Sequence, residues 1–406
     1  MLMLRKHVVI IGGGWAGIKL ARDLADVDRS KLRVTLISAE PNFRYSSALY
    51  KVATGHNERE AIIPISEITK NINNLDFVLA KVKSIDKSER TITTSSGQKF
   101  HYDFAVIALG VITSYMGIPG IEELSYGIKT QHEIQLLRTH LHQELVDQHA
   151  PDKNYVIVGG GATGVELSAS MVSYIKHIVK KHGIKQKRVN VELVEASPRV
   201  LPLGNPTAST KTLKRLKSLG VKVLLNKRVQ KETINNLVVS GKSIPTHTVI
   251  WTAGVVNNPF FKNNASQFNL NERGRVVVND HLQVDKHLYV IGDNAATPFS
   301  GLALTAVHDA KYVAKDIKKK LNNQKGYRAY KALIPATAVP VGKRWAIFQY
   351  EKIVIGGWLG SLIRIFADFV SFCDIIGFRR ALSTWVGGYR DVEYCAVCRT
   401  RVVKHH

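Results

Sequence analysis

Cysteine is almost absent from this chain of 406 residues: Cys373, Cys395 and Cys398 are the full complement. A disulfide framework is excluded as the support of the fold, and a reducing compartment is expected. Cys395 and Cys398 do form a Cys-x-x-Cys, but with no second pair a zinc site would have to recruit residues such as His405 or His406, so no metal is expected. Acidic residues are scarce too. Asp and Glu number 32 against 57 Lys and Arg, a formal charge of +25 that favours polyanions: nucleic acid, anionic lipid or acidic proteins. A leader pattern is missing, since residues 1–5 run straight into an apolar strand with no cleavable segment between, and this predicts a cytoplasmic start. A spanning segment is missing as well: Arg364, Asp368 and Asp374 interrupt the most apolar stretch, residues 353–378.

What remains is an ordinary globular composition, 45% apolar and 22% charged, long enough for two or three domains. It carries one pattern twice. "VVIIGGGWAG" (8–17) reads as a buried strand, a turn with Gly12, Gly14 and Gly17, and the start of a helix; a second strand, 34–38, leads to Glu40. "VIVGGGATGVE" (156–166) repeats it with Gly159, Gly161 and Gly164, and its second strand, 189–194, leads to Glu195. The Gly-x-Gly-x-x-Gly spacing lets backbone approach a pyrophosphate at a helix N-terminus, while the acid accepts hydrogen bonds from ribose hydroxyls. Glycines after one strand can be mere turn formers; strand, turn, helix, strand and acid repeated in order argue otherwise. Each copy continues through short alternating strands to an apolar strand ending near Gly110 or Gly254. The expected fold class is therefore α/β, with two tandem Rossmann-like dinucleotide-binding domains, and two bound dinucleotides can exchange a hydride across the interface between them.

The two fingerprints followed by a late Gly-Asp in "HLYVIGDNAAT" (287–297) resemble the two-dinucleotide-binding flavoprotein superfamily. The resemblance implies that Gly12, Gly14, Trp15, Ala16, Gly17, Glu40, Val82, Gly110 and Asp293 bind FAD, with Asp293 on the ribityl chain. Gly159, Gly161, Ala162, Thr163, Gly164, Glu195 and Gly254 would then bind the nicotinamide cofactor. The Glu195 carboxylate favours NADH, whose ribose carries a 2′-hydroxyl, although Arg199 and Lys187 lie close in sequence. No dithiol motif lies near the first fingerprint, where disulfide-reducing relatives keep theirs, so thiol substrates are not expected.

"GIPGIEE" (117–123), "VELVEASPRVLP" (191–202), "VIWTAG" (249–254) and the flavin-side loop "NFRYSSALYKVATG" (42–55) further resemble the type II NADH dehydrogenases, single-chain NADH:quinone oxidoreductases on one face of a respiratory membrane. That resemblance implies hydride transfer from NADH to FAD and two electrons onward to a quinone, without proton pumping. Glu166, in the first turns of the second fingerprint's helix, would sit near the flavin and organise proton transfer; complementing the helix dipole is its other reading. One departure stands out: in "LALTAVHDAKYVAKDI" (302–317), Leu304 and His308 occupy the places of the family's two quinone-site glutamines. His308 can still hydrogen-bond a quinone carbonyl or carry its proton, or serve only in packing.

Written as a helix from Trp358, the charged Arg364, Asp368 and Asp374 share a narrow face with Ser361 and Ser371, while Leu362, Phe366, Phe369 and Val370 are apolar. With Arg379, Arg380, Arg390, Trp385, Tyr389 and Tyr394 following, this predicts a C-terminal amphipathic region on the cytoplasmic face of the membrane, held to an anionic surface; core packing or a homodimer interface is the alternative. The expected layout is 1–120 FAD domain, 121–265 NAD domain inserted in it, 266–325 FAD domain again and 326–406 C-terminal region. Two other functions stay open: a soluble reductase of a small acidic carrier protein, which the basic charge would dock, and a nucleic-acid-binding flavoprotein, against which the basic residues are scattered and form no recognised module.

Overall fold

The computed structural model describes residues 5–185, 189–324, 327–378 and 380–382. Near-continuous apolar runs dictate its centre, because a strand apolar on both faces is stable only when both faces are covered. Lys6–Ile11 and Leu32–Ser38 pair in parallel, and Val8, Val9, Ile10, Val34 and Leu36 are wholly buried. The sheet has six strands in the order Gln283–Asp285, Leu288–Val290, Phe104–Ile107, Lys6–Ile11, Leu32–Ser38, Leu75–Leu79, all parallel except the first, an edge strand.

A second parallel sheet copies its centre, in the order Val221–Leu224, Asn190–Val194, Asn154–Val158, Thr248–Trp251. Every strand of this second sheet falls in sequence between Phe104–Ile107 and Gln283–Asp285, so the second unit is inserted in the first. The repetition extends to two small antiparallel sheets, Val82–Asp86 with Thr91–Thr94 and Lys99–His101, and Val229–Thr233 with Asn236–Val239 and Lys242–Pro245. The strands that leave the two parallel sheets, Val111–Thr113 and Val255–Asn257, pair antiparallel with each other and tie the units together.

A three-stranded antiparallel sheet, Thr337–Pro340, Ala346–Tyr350 and Ile353–Gly357, then carries the helix Trp358–Ile376. Gly360 lets that helix lie close: a Cβ there would stand 2.3 Å from the Ala346 carbonyl oxygen. The helix is docked by its charged face. Arg364 is 9% exposed, whereas Phe366 is 68% and Trp358 65% exposed. Asp374 meets Lys19 at 3.2 Å and Lys311 at 3.3 Å, and Arg22 donates to the Ile375 carbonyl. Leu359, Leu362, Phe366 and Val370 face outward, while Phe372, Ile375 and Ile376 complete the core. Among the described residues no helix is long and apolar enough to cross a membrane. Arg379, Arg390, Trp385, Tyr389, Tyr394, Cys395, Cys398, His405, His406 and Lys187 lie outside the described residues.

Candidate active site

The two fingerprints match bond for bond. The N–H of Gly12 donates to the Ile37 carbonyl at 2.8 Å and that of Gly159 to Val194 at 2.8 Å, each joining the end of a first strand to a second. Both glycines have positive φ, +117° and +110°. A Cβ on Gly17 or Gly164 would lie 1.8 Å from the carbonyl of Gly12 or Gly159, so no larger residue fits where helix meets turn. Gly14 and Gly161 differ from these: a Cβ on either meets nothing within 4 Å, and both are exposed at their helix N-termini. Each turn thus leaves an open cradle of backbone facing the positive end of a helix dipole, where a pyrophosphate fits.

Beside the second cradle, Glu195 is buried, its Oε2 accepting from the Gly160 N–H at 2.5 Å and its Oε1 from the Ser197 N–H at 2.6 Å. Each oxygen keeps a lone pair for a ribose hydroxyl. Arg199 is turned away and spent on the carbonyls of Pro202 and Gly204. Ala162 and Thr163 are exposed at the helix start, and Gly254 packs against Ser114 and Met116 across the two units. Beside the first cradle Glu40 is exposed just past its strand, and the Ala80 N–H donates to the Ser38 carbonyl, which brings the segment leading to Val82 alongside. Trp15 begins the helix, half-buried, with its ring 5.0 Å from Tyr45 and 5.3 Å from Phe43; Ala16 is buried behind it.

Asp293 sits in the turn Gly292–Asn294, and burial pushes its carboxyl up, opposed by Lys129 and Arg275. That turn is held by residues the sequence did not single out. Asn294 donates to the Gly110 carbonyl at 2.7 Å and accepts from the Gly110 N–H at 2.8 Å. Asp309 accepts from the Gly292 N–H at 2.9 Å and from the Tyr330 hydroxyl at 2.6 Å, and burial lifts it to about 6. Asn294 follows the Gly-Asp pair directly, a cue available in sequence. Asp309 carried none beyond being an acid on an apolar helix face.

Glu166 is 7% exposed, and burial pushes its carboxyl up to about 7; Arg364 opposes that rise and Asp368 adds to it. Arg364 donates from Nη1 to Glu166 Oε1 at 3.2 Å and from Nε to both Asp368 oxygens at 2.9 Å, while the Tyr45 hydroxyl donates to Asp368 at 2.6 Å. Tyr45 also stacks on Phe372, centroids 4.4 Å apart. A buried acid thus joins the second fingerprint's helix to the loop beside the first fingerprint and to the C-terminal helix. His308 stands outside this network: its Nε2 donates to the Lys331 carbonyl at 2.9 Å and its ring lies 5.5 Å from Tyr330. Leu304 is 41% exposed.

A family profile for pyridine nucleotide-disulphide oxidoreductases matches residues 6–311. The chain is 27% identical over 340 residues to a type II NADH:quinone oxidoreductase of Staphylococcus epidermidis, covering 79% of this chain and 84% of the relative. It is 27% identical over 386 residues to a probable NADH dehydrogenase of Dictyostelium discoideum, covering 88% and 83%. Among solved structures, NDH2 from Plasmodium falciparum in complex with NADH superimposes with a TM-score of 0.86 at 15% identity, over 96% of this chain and 99% of that one. With its two cradles and their matched strands, the chain belongs to the pyridine nucleotide-disulphide oxidoreductase family.

Proposed function

We propose that the chain is a type II NADH:quinone oxidoreductase that holds FAD in the first cradle and NADH in the second. The single observation that carries this reading is the pair of open backbone cradles, each at a helix N-terminus beside an acid-ended strand, built by glycines whose other faces are closed to any side chain. Gly12, Gly14, Trp15, Ala16, Gly17, Glu40, Val82, Gly110 and Asp293 are assigned to FAD. Gly159, Gly161, Ala162, Thr163, Gly164, Glu195 and Gly254 are assigned to NADH. When bound, these cofactors supply the hydride and two-electron chemistry.

The chain's own residues supply the rest. The cradle N–H groups neutralise pyrophosphate charge, and Glu195 accepts ribose hydroxyls while repelling a 2′-phosphate. Glu166, poised near neutral pH by burial, gains or loses the proton that accompanies the electrons. His308, held by Lys331, is assigned to the acceptor side. The domain assignment 1–120, 121–265 and 266–325 follows the insertion of one sheet's strands within the other's.

Residues 326–406 are proposed to seat the protein peripherally on an anionic membrane at the cytoplasmic face. The helix Trp358–Ile376 turns its charges inward and leaves Trp358, Leu362, Phe366 and Val370 exposed, while the whole chain carries +25. Burying one Leu- or Phe-sized side chain contributes roughly 1.5–3 kcal/mol, and each cation near an anionic leaflet ~1 kcal/mol. A homodimer through the same face is the outcome that vesicle binding distinguishes from membrane seating. For the acceptor, the test is anaerobic reduction of the FAD-loaded protein by NADH, followed by reoxidation with a soluble quinone analogue or with a small acidic iron–sulfur protein. Quinone reoxidation at turnover rates is expected; reoxidation by the protein carrier alone overturns the quinone assignment.

A further inference from the structure

Arg364 is 9% exposed, yet its guanidinium bonds to several of the elements that meet around Glu166. Nη1 donates to Glu166 on the second fingerprint's helix and to the Ala338 carbonyl at 2.6 Å; Nη2 donates to the Ser47 carbonyl at 2.8 Å; Nε donates to Asp368 on its own helix. Ser47 belongs to the loop whose Tyr45 touches Trp15 of the first fingerprint. A buried cation with four acceptors is strongly anchored. The helix that carries Arg364 is also the helix whose outer face is apolar and exposed.

We propose that Arg364 is a positioning residue through which the seating of the C-terminal helix and the charge state of Glu166 control one another. The proposal rests on the reading of Glu166 as a site residue. Its logic is reciprocal: burial above all holds the Glu166 carboxyl up, so lifting the helix, which carries Arg364 and Asp368 away and lets water in, lets the carboxyl give up its proton more readily. Ionising Glu166 must then loosen the helix by the same factor. The groups around Glu166 are Arg364 and Asp368 from the C-terminal helix, Lys51 from the short helix Leu49–Ala53, and, facing Arg364, Tyr50 and Tyr45. The helix's other anchors are the ion pairs of Asp374 with Lys19 and Lys311. Burial brings Glu166 into the window between pH 6 and 8.

The test is hydrogen exchange of residues 358–376 in the full-length, FAD-loaded protein at pH 6 and pH 8, corrected for intrinsic exchange, for the wild type, Glu166→Gln and Arg364→Lys. The wild-type helix is expected to open about tenfold more readily at pH 8 than at pH 6, one unit of linked protonation. In Glu166→Gln that ratio falls to about one. Arg364→Lys keeps a cation without the planar fork, so it retains the same direction of pH dependence from a more open baseline. Equal opening of the wild-type helix at both pH values overturns the proposal, as does a tenfold ratio that survives in Glu166→Gln. Separately, NADH reduction of the same preparation reports on the functional reading: a protein that NADH cannot reduce fails that reading whatever its helix does.

Discussion

Glu166 and Glu195 are both glutamates at the mouth of the second fingerprint, and their surroundings give them different chemistry. Glu195 accepts two backbone N–H bonds, which fix both of its oxygens beside the cradle. Glu166 meets the Arg364 guanidinium, with Asp368 and Lys51 acting on it as well, and burial holds it up at about 7. Replacing Glu166 by Gln should leave flavin uptake intact and lower kcat by roughly 10²-fold, the scale of a lost general acid–base, and flatten the pH profile near 7. Unchanged kcat with a normal flavin spectrum would remove it from the mechanism. Glu195→Gln keeps one acceptor for the two backbone N–H groups and removes the charge, so KM for NADPH should fall about tenfold, 1.4 kcal/mol, relative to KM for NADH. No change in that ratio would show that Glu195 does not choose the nucleotide.

At the scale of elements, the fingerprints were legible because the chemistry and the chain geometry coincide there. Gly17 and Gly164 are glycines because the carbonyl of Gly12 or Gly159, close by in sequence, occupies the place of a side chain, which is a local fact. The C-terminal helix was legible only by halves. Arg364, Asp368 and Asp374 were visible as charges that bar a membrane span, and their common face was visible too. Their partners, 198 residues away for Glu166 and further for Tyr45, Ser47 and Lys19, are set by tertiary packing and leave no mark on spacing. The inward direction of the polar face follows from those partners. Phe366→Ser should therefore weaken binding to anionic vesicles about tenfold while leaving the fold intact, since it strips roughly 1.5–3 kcal/mol of outward apolar contact. Co-sedimentation measures this, and unaltered binding, or binding by neither protein, would remove the helix from membrane attachment.

At the scale of the molecule, three glutamates among the described residues bind protons more tightly folded than unfolded: burial raises Glu144 and Glu166 to about 7 and Glu232 to about 8. A raised carboxyl stabilises the folded state relative to the unfolded one only while it stays protonated, so stability falls as pH climbs from the ordinary carboxylate range through these values. His140, which burial lowers to about 4, acts in the opposite direction, but its contribution is complete once unfolded imidazoles have lost their protons near 7. Unfolding free energy from denaturant titration should thus decrease between pH 7 and 8.5, with a shallower slope in Glu232→Gln. A rising or flat curve in the wild type would contradict these assignments. Glu232 Oε2 is buried without a hydrogen-bond partner, which is why its substitution isolates the effect.

The repeated architecture makes sense only if both cradles are filled at once and their cofactors meet. The most direct measurement is the visible absorption of the purified chain under anaerobic conditions, before and after one equivalent of NADH. A yellow protein with about one FAD per chain, bleached by that equivalent, is the predicted result. A chain that takes up no FAD, or one that stays oxidised with NADH present, contradicts it.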